Sequence, residues 1–569
     1  MDRLAYDIVI VGGGAAGLRA AIAAAEAHKS LRIAVVSKVY PMRSHTVSAE
    51  GGTAAVLRDY DSYDMHAFDT VKGSDFLADQ DAVEFFVRRA PSEVIQMDHW
   101  GCPWSREPDG RVAVRAFGGM SVKRTVFAAD KVGFHMLHTL FQTTLKYESI
   151  ERLDEWFVTS LLTEGGKIVG VAALDLRSGT IQAIGAKAVV LCTGGAGRIY
   201  EFTTNGWIKT GDGMALAYRA GVPLKDMEFQ QFHPTCLPGT GILITEAARG
   251  EGGYLVNKDG ERFLKRYVPE KMELGPRDIL SRAIMTEIKE GRGIEGPYGP
   301  QVHLDLRHLG EDVIERKLPM VRELVREYVG LDPIKEPIPV RPGQHYIMGG
   351  IHTDLHGFTG LPGLYAAGEA ACVSINGANR LGSNSLSECL VFGAEAGRSA
   401  AEYARSLPST TILNPVTALA KAEESRIFDG LLKREGGESL AAVRSEMQHT
   451  MEIHLGIYRS AADLEKGLSG IRASRKRFER VGVRDKDPFF NTELTSTLEL
   501  DFMLELAEVV AMAALNRKES RGAHSRTDFP KRDDANFLYH SMAIRTGEGP
   551  RLESRAVTIT KWQPAARVY

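Results

Sequence analysis

The most constraining feature of the sequence is a glycine-rich turn between a strand-like run and a helix-like run near the N-terminus. Ile8-Val-Ile-Val11 is continuously apolar, as is typical of a parallel strand buried on both faces. The turn GGGAAG occupies residues 12–17, an alanine-rich segment continues to about Ala27, and a second apolar run spans residues 32–36. This order predicts a βαβ unit and therefore an α/β fold.

Three glycines of this turn match G-x-G-x-x-G in the strand-to-helix context that the motif requires. Gly12 permits the tight turn, Gly14 lets a pyrophosphate approach the backbone, and Gly17 permits close packing of helix on strand. The phosphates then lie at the N-terminus of the helix. A tight turn without a ligand is the alternative, but the context favours a dinucleotide site.

The acidic residue that commonly binds the adenine ribose, about 20 residues after the motif, is missing. Ser37 and Lys38 follow the second strand-like run in its place. The glycines alone therefore leave both NAD and FAD open.

The 569 residues are 44% hydrophobic and 25% charged, which indicates a globular protein of several domains. A net charge of −3 gives no broad field for nucleic acid, so no nucleic-acid partner is expected. The five cysteines include no CxxC pair, which argues against a disulfide framework and against a Cys-ligated zinc or iron–sulfur site in this chain, and favours a reducing compartment. Arg19 interrupts the most apolar stretch, so no bilayer span is expected. The early strand at Tyr6 leaves no room for a leader, so we expect a cytoplasmic protein or one that was processed before this numbering starts.

Longer motifs follow one another along nearly the whole chain. They are PMRSHT at residues 41–46, AEGG at 49–52, FHPT at 232–235, PRD at 276–278, QHY at 344–346, NRLGSNSL at 379–386 and ESRGAH at 519–524. In this order they resemble the flavoprotein subunits of succinate dehydrogenases and quinol–fumarate reductases. The stretch VYPMRSHTVSAEGG is most similar to the reductases.

The resemblance implies an α/β fold with an FAD-binding Rossmann-like domain, an inserted α+β capping domain, a helical domain and a small C-terminal region. The limits that we expect are 1–234 for the first part of the FAD-binding domain, 235–345 for the capping (lid) domain, 346–410 for the second part of the FAD-binding domain, 411–525 for the helical domain and 526–569 for the C-terminal region. Strand-like residues 363–368 should return to the first sheet. After residue 519 we expect irregular structure with one short strand at 557–560.

The same resemblance implies FAD as the cofactor, attached covalently through its 8α-methyl group to His45 of the Ser-His-Thr motif. A covalent link fixes the flavin ring and is one way in which a protein adjusts the reduction potential of its flavin. Without the resemblance, His45 would be interpreted as an ordinary loop histidine. The other implied FAD contacts are Gly12, Gly14, Ala15, Gly17, Ser37, Lys38, Ser44, Thr46, Gly51, Gly52, Asp212, Glu369, Ser385 and Leu386.

Fumarate and succinate carry two carboxylates, so a site for them needs cationic and hydrogen-bonding groups at both ends. The resemblance implies that His345 and Arg380 hold one carboxylate. It assigns His233 and Thr245 to the other, with Phe117 packed against the central carbons. Taken singly, a buried histidine or an arginine is more often structural than functional.

Arg277 of the PRD motif is implied to donate a proton to the substrate carbon as hydride arrives from flavin N5. General acids normally titrate near the working pH and free arginine above 12, so the neutral form must be short-lived. Glu246 and Arg249 in TEAARGEGG match the family's proton relay to solvent. A purely electrostatic role for Arg277, which would stabilise the developing carbanion, is the competing interpretation.

The implied electron partner is an iron–sulfur subunit held by membrane-anchor subunits, which would connect the site to a quinone pool. The chain would then lie on the cytoplasmic side of the inner (plasma) membrane as a peripheral subunit. Glu50 in AEGG is typical of fumarate reductases, so fumarate reduction is the expected direction and succinate oxidation the alternative. Two less favoured functions stay open: L-aspartate oxidase, which binds its flavin non-covalently, and a non-catalytic flavin electron carrier.

Overall fold

The computed structural model describes residues 3–408 and 414–568. In chain order the strands are β1 (Arg3–Val11), β2 (Ile33–Ser37), β3 (Thr53–Ala54), β4 (Val114–Arg115), β5 (Thr125–Val126), β6 (Ile150–Asp154), β7 (Trp156–Glu164), β8 (Lys167–Asp175), β9 (Thr180–Leu191), β10 (Leu224–Lys225), β11 (Gln230–Cys236), β12 (Tyr254–Val256), β13 (Val302–Asp305), β14 (Ile338–Ile347), β15 (Gly350–His352), β16 (Leu364–Ala366), β17 (Ala371–Cys372), β18 (Tyr458–Arg459), β19 (Ser525–Arg526), β20 (Tyr539–Thr546) and β21 (Gly549–Ala556).

The α-helices are concentrated at the two ends of the described chain and in the lid. In chain order they are α1 (Ala15–Ala27), α2 (Tyr63–Gly73), α3 (Gln80–His99), α4 (Val132–Thr144), α5 (Asp212–Arg219), α6 (Glu246–Gly250), α7 (Arg277–Lys289), α8 (Glu311–Lys317), α9 (Pro319–Tyr328), α10 (Asn384–Ser406), α11 (Asn414–Ser425), α12 (Leu440–His454), α13 (Ala461–Phe478), α14 (Thr492–Asn516) and α15 (Asp534–Phe537). A π-helix, Arg426–Leu432, follows α11 directly.

A seven-stranded sheet forms the central layer, in the order β6-β2-β1-β9-β8-β7, with β16 also paired to β9. The pairs around β1 are parallel, whereas β7, β8 and β9 pair antiparallel. Successive side chains of β1 enter opposite cores: Ile8 and Ile10 pack with α1 and α10, and Val9 and Val11 pack on the other face. The continuous apolar run is thus explained by burial on both faces, and β16 returns to this sheet as expected.

A smaller unit is inserted between β11 and β14, and we call it the lid. Its sheet has the order β11-β14-β13-β12 with antiparallel pairs, and α6 to α9 lie within the same stretch of sequence. The lid has an apolar core of its own, which includes Leu255, Ile284 and Val340. A separate core makes the lid a distinct body beside the central sheet.

The last part of the chain is helical and then returns to a sheet. Helices α12, α13 and α14 pack on one another, and α14 is buried along most of its length. The hairpin β20–β21 then extends the sheet β17-β15-β10-β20-β21. The expectation of irregular structure after residue 519 is therefore wrong for this hairpin.

The strand expected at 557–560 is also absent from the structure. Val-Thr-Ile-Thr alternates like a strand, but side chains satisfy its backbone: the Thr558 N–H donates to Asp79 Oδ1 at 2.7 Å and the Thr560 N–H to Gln80 Oε1 at 3.2 Å. The expected domain boundary at residues 410 and 411 lies outside the described residues. The other limits stay predictions.

None of the helices in the described ranges combines the length and the apolar character that a bilayer crossing needs. Within the same ranges, no three His, Cys, Asp or Glu side chains are grouped as a metal site would require.

Candidate active site

The glycine turn closes a cradle at the carboxyl end of β1. A Cβ added at Gly17 would lie 1.9 Å from the Gly12 carbonyl oxygen, so only glycine lets α1 pack this closely. Gly12 itself has a φ of +116°, which favours glycine. The Thr46 hydroxyl accepts a hydrogen bond of 3.1 Å from the Ala15 N–H and joins the start of α1 to the PMRSHT segment. The turn therefore fits a phosphate cradle.

A cavity of about 420 Å³ extends from this turn to the lid. It lies beyond the carboxyl ends of β1, β2, β9 and β16, where open parallel sheets bind their ligands. The predicted residues that line it are Gly12, Gly14, Ala15, Ser37, Lys38, Ser44, His45, Thr46, Gly51, Gly52, Phe117, Asp212, His233, Thr245, Glu246, Arg277, His345, Glu369, Arg380, Ser385 and Leu386. Gly17 and Arg249 are outside this lining, because Gly17 packs against Gly12 and Arg249 contacts Glu246.

Lys38 connects the cavity wall to the helical region through two ion pairs. Its Nζ lies 2.7 Å from Asp212 Oδ2 and 2.7 Å from Glu499 Oε1. Burial alone would lower the pKa of Lys38, but the charges of Asp212 and Glu499 raise it above its usual value. The lysine that replaces the usual ribose-binding acid thus fixes the N-terminus of α5. Nothing in the local pattern pointed to Glu499, which belongs to α14.

His45 is part-buried at the cavity wall, in the 3₁₀ turn His45–Ser48. The Gly206 N–H donates to its Nδ1 at 3.4 Å. Burial, and then the charge of Lys209, lower the pKa of His45 to about 3, so its imidazole is neutral at neutral pH. The buried hydroxyl of the preceding Ser44 has no hydrogen-bond partner among the described residues. A neutral imidazole beside an unpaired hydroxyl suits a polar ligand in this cavity.

Glu369 is paired with Lys209, a residue that the sequence analysis did not single out. The other carboxylate oxygen of Glu369 accepts a hydrogen bond of 3.2 Å from the Ile347 N–H. Lys209 lies 160 positions from Glu369, so only the fold brings the two together.

The far end of the cavity gathers His233, Thr245, His345 and Arg380 with Phe117. The rings of His233 and His345 lie 5.1 Å apart. Burial, and then the charge of Arg277, lower the pKa values of both histidines well below their usual range, so both are neutral.

Nε2 of His233 and Nε of Arg380 are buried at this end and have no hydrogen-bond partner within the described residues. Buried polar atoms are normally paired, so these two indicate a polar ligand. The net positive charge of Arg277 and Arg380 fits an anion with carboxylate groups.

Arg277, Glu246 and Arg249 form a buried chain of charges that continues from the cavity. Arg277 Nε lies 2.8 Å from Glu246 Oε2, and Arg249 Nη2 lies 3.7 Å from the same oxygen. Burial alone would raise the pKa of Glu246, but the charges of Arg277 and Arg249 lower it, so the carboxylate is ionised. All three residues belong to lid helices: Glu246 begins α6, Arg249 lies within α6, and Arg277 begins α7.

The lid is anchored to the central unit by Asp130. Its buried Oδ2 accepts hydrogen bonds from the N–H groups of Met320 at 2.8 Å and Val321 at 3.2 Å. These are the first-turn amides of α9, which are free to bond a carboxylate. Side chains of α9 also line the cavity, namely Met320, Leu324 and Tyr328. The position of the lid thus determines how far the cavity is enclosed.

Two family models match this sequence: the FAD binding domain over residues 7–386 and the fumarate reductase flavoprotein C-term over residues 444–569. The chain belongs to the fumarate reductase and succinate dehydrogenase flavoprotein family. The predicted fold and the use of FAD are thereby confirmed, and the protein is an FAD-dependent oxidoreductase of the fumarate and succinate type.

Relatives of both names align over almost the full length. The chain is 59% identical to the fumarate reductase flavoprotein subunit of Mycobacterium tuberculosis strain H37Rv, with 99% of each chain covered. It is 43% identical to the succinate dehydrogenase flavoprotein subunit of Rickettsia bellii, over 99% of this chain and 98% of the relative. Among solved structures, an E. coli quinol fumarate reductase superposes with a TM-score of 0.98 at 51% identity, covering 100% of this chain and 99% of the other.

Proposed function

We propose that this chain is the catalytic flavoprotein subunit of a fumarate reductase. The observation that carries the proposal is the convergence of His233, Arg277, His345 and Arg380 at one end of the FAD-domain cavity. In the reaction, fumarate gains a hydride at one central carbon and a proton at the other, and becomes succinate. When bound, FAD supplies the hydride through its N5 atom.

His45 is the residue that would carry FAD through its 8α-methyl group. It lines the cavity, and its imidazole is neutral, as a nucleophile must be. Residues of the glycine cradle would bind the phosphates, and Lys38 with Asp212 would support the adenosine end from the wall of the cavity.

The dicarboxylate would be held at both ends, in part by polar atoms that have no hydrogen-bond partner among the described residues. Arg380, through its unpaired Nε, and His345 would bind one carboxylate. His233, through its unpaired Nε2, and Thr245 would bind the other. Phe117 would cover the central carbons, and the buried surroundings would strengthen each hydrogen bond by excluding water.

Arg277 would deliver the proton. Its Nε is bonded to Glu246, which in turn contacts Arg249, so a proton lost to substrate can be replaced through this buried series. The competing role for Arg277, stabilisation of the developing negative charge without proton transfer, uses the same position.

Fumarate reduction is favoured as the physiological direction. Six relatives named fumarate reductase flavoprotein subunit share 51% to 59% identity with this chain, and two named succinate dehydrogenase flavoprotein subunit share 41% to 43%. Glu50 is buried at the cavity, and burial, followed by the charge of Asp130, raises its pKa well above the usual value. A protonated Glu50 adds no negative charge to a site that must take up a dianion, and this holds for fumarate and succinate alike.

The electrons would come from a quinone pool through an iron–sulfur subunit and membrane-anchor subunits, with this chain on the cytoplasmic side of the membrane. Support comes from solved relatives described as a quinol–fumarate reductase with menaquinol molecules and as a Mycobacterium smegmatis Sdh1 complex.

The covalent link is tested by acid precipitation of the purified holoprotein. We expect yellow, fluorescent flavin to stay with the denatured pellet, and to move to the supernatant in His45→Ser. Release from the wild-type pellet would contradict the link, and aspartate would then be tried as the reductant to test for L-aspartate oxidase.

The role of Arg277 is tested with reduced viologen as electron donor and fumarate as acceptor. Arg277→Gln should lower kcat by more than about 1,000-fold, because both a charge and a proton donor are lost. Arg277→Lys keeps the charge, so recovery of activity in this variant would favour the electrostatic role. Arg326→Gln, at an exposed position of α9, is the matched control.

A further inference from the structure

Gln231 lies in β11, two residues before His233. It is fully buried. Its Oε1 accepts a hydrogen bond of 3.1 Å from Arg277 Nη1 and one of 3.2 Å from Arg380 Nη2. One neutral oxygen therefore connects Arg277, the proposed proton donor, to Arg380, which is proposed to bind a substrate carboxylate.

The orientation of the Gln231 amide is fixed by two acceptors on the other side. Its Nε2 donates to the Arg380 carbonyl at 2.8 Å and to Asn379 Oδ1 at 3.0 Å. The amide of Asn379 is oriented in turn, because its Nδ2 donates to the Gly73 carbonyl at 3.0 Å. A flipped Gln231 would lose all four hydrogen bonds, so its oxygen must face the two arginines.

The two arginines are like charges in a buried site, and each weakens the other. Burial, and then the Arg277 charge, lower the pKa of Arg380 to about 10. A shared acceptor offsets this repulsion without adding negative charge that would repel a dianionic substrate. It also uses only Nη2 of Arg380, which leaves the unpaired Nε for substrate.

We infer that Gln231 is a positioning residue that holds Arg277 and Arg380 at a fixed separation. Arg380, which would bind a substrate carboxylate, and Arg277, which would donate the proton, can then contact the same substrate molecule. This inference rests on the proposed function. It requires a neutral acceptor at this position, and so it distinguishes glutamine from both an apolar residue and a carboxylate of the same length.

The experiment compares Gln231→Met and Gln231→Glu in the holoprotein, with fumarate turnover and with malonate, a saturated dicarboxylate, titrated against the flavin absorption spectrum. In Gln231→Met we expect kcat to fall and the KM for fumarate to rise, each by about 10-fold or more, because hydrogen bonds to charged groups are lost. In Gln231→Glu the acceptor is kept, but the added charge should weaken malonate binding further than in Gln231→Met.

The matched control is Gln230→Met. Gln230 is the neighbouring buried residue of β11, and its amide bonds the Met227 carbonyl and Gln344 rather than an arginine. A purely structural role would lower the amount of active protein and the melting temperature, but it would leave KM and malonate affinity unchanged.

Malonate affinity and fumarate KM within twofold of wild type in both Gln231 variants would overturn the inference. So would a Gln231→Glu variant that binds malonate as tightly as wild type. Wild-type protein that fails to reduce fumarate would instead overturn the proposed function, and the malonate titration would still measure the effect of Gln231 on the arginine pair.

Discussion

Arg277 and Glu246 form an ion pair inside the protein, with Nε 2.8 Å from Oε2 and the two side chains only 8% and 1% exposed. Glu246 Oε1 also accepts a short hydrogen bond from the Gly118 N–H at 2.6 Å. The carboxylate is therefore held from two sides, by the lid residue Arg277 and by the loop that carries Phe117. The pair fixes the Arg277 guanidinium at the end of the cavity where the substrate would bind.

Glu246→Gln should slow fumarate turnover about 100-fold while the KM changes by less than about fivefold, because the relay charge is lost but the substrate ligands remain. The melting temperature should also fall, since Arg277 and Arg249 are left without their buried counter-charge. The measurement is steady-state kinetics with reduced viologen, beside a thermal melt. Glu251→Gln, whose carboxylate pairs with exposed Lys317, is the control. Turnover within threefold of wild type would exclude Glu246 from the relay.

Gly17→Ala should abolish flavin binding. The new methyl group would overlap the Gly12 carbonyl oxygen, so α1 must move away from β1 and open the phosphate cradle. The ratio of absorbance at 450 nm and 280 nm in the purified protein measures the bound flavin, and we expect less than about a tenth of the wild-type ratio. Gly437→Ala, where an added Cβ meets nothing within 4 Å, should keep its full flavin content. Normal flavin content in Gly17→Ala would contradict the role of the turn.

The parts of the fold that the sequence predicted correctly depend on short-range patterns. The apolar run of β1, the alanine-rich α1 and the glycines between them lie within 27 residues, and each is determined by its own neighbours. The strand wrongly expected at 557–560 had a correct alternating pattern. Its backbone, however, bonds the side chains of Asp79 and Gln80, which no local pattern reveals.

The same limit applies to the site. Motifs supplied most of the residues that line the cavity, but not the partners that orient them. Gln231 and Arg380 are 149 positions apart, and Lys209 and Glu369 are 160 apart. The first pair forms only when β11 meets the loop before α10, and the second only when the segment before α5 meets the turn after β16. The sequence could therefore name the ligands without predicting their geometry.

Arg567→Met should reduce kcat for fumarate by about 3- to 10-fold with little change in KM. Arg567 forms a two-pronged ion pair with Asp278, at 2.9 and 3.1 Å, and buried Asp278 directly follows Arg277 in the first turn of α7. Without Arg567, Asp278 keeps its ion pair with Arg282 on the same helix, and the position of Arg277 at the start of α7 becomes less fixed. Kinetics and a thermal melt measure the effect.

The control for this prediction is Arg551→Met, which removes an exposed arginine that pairs with Glu553 on β21. It should leave both kcat and melting temperature near wild type. An unchanged kcat in Arg567→Met would show that the C-terminal segment does not position Arg277.

Glu388→Gln should make the protein more stable than wild type, by an amount that grows with pH. Burial raises the pKa of Glu388 to about 7, above an unfolded value near 4.5. The folded state therefore binds the Glu388 proton more tightly than the unfolded state does. This tighter binding stabilises the wild type at low pH, and the stabilisation is lost as pH rises from 4.5 through 7. Between pH 5.5 and 8 the gain in unfolding free energy should increase by about 2 kcal/mol. Denaturant melts at both pH values measure it, with the exposed Glu402→Gln as control; a pH-independent difference would contradict it.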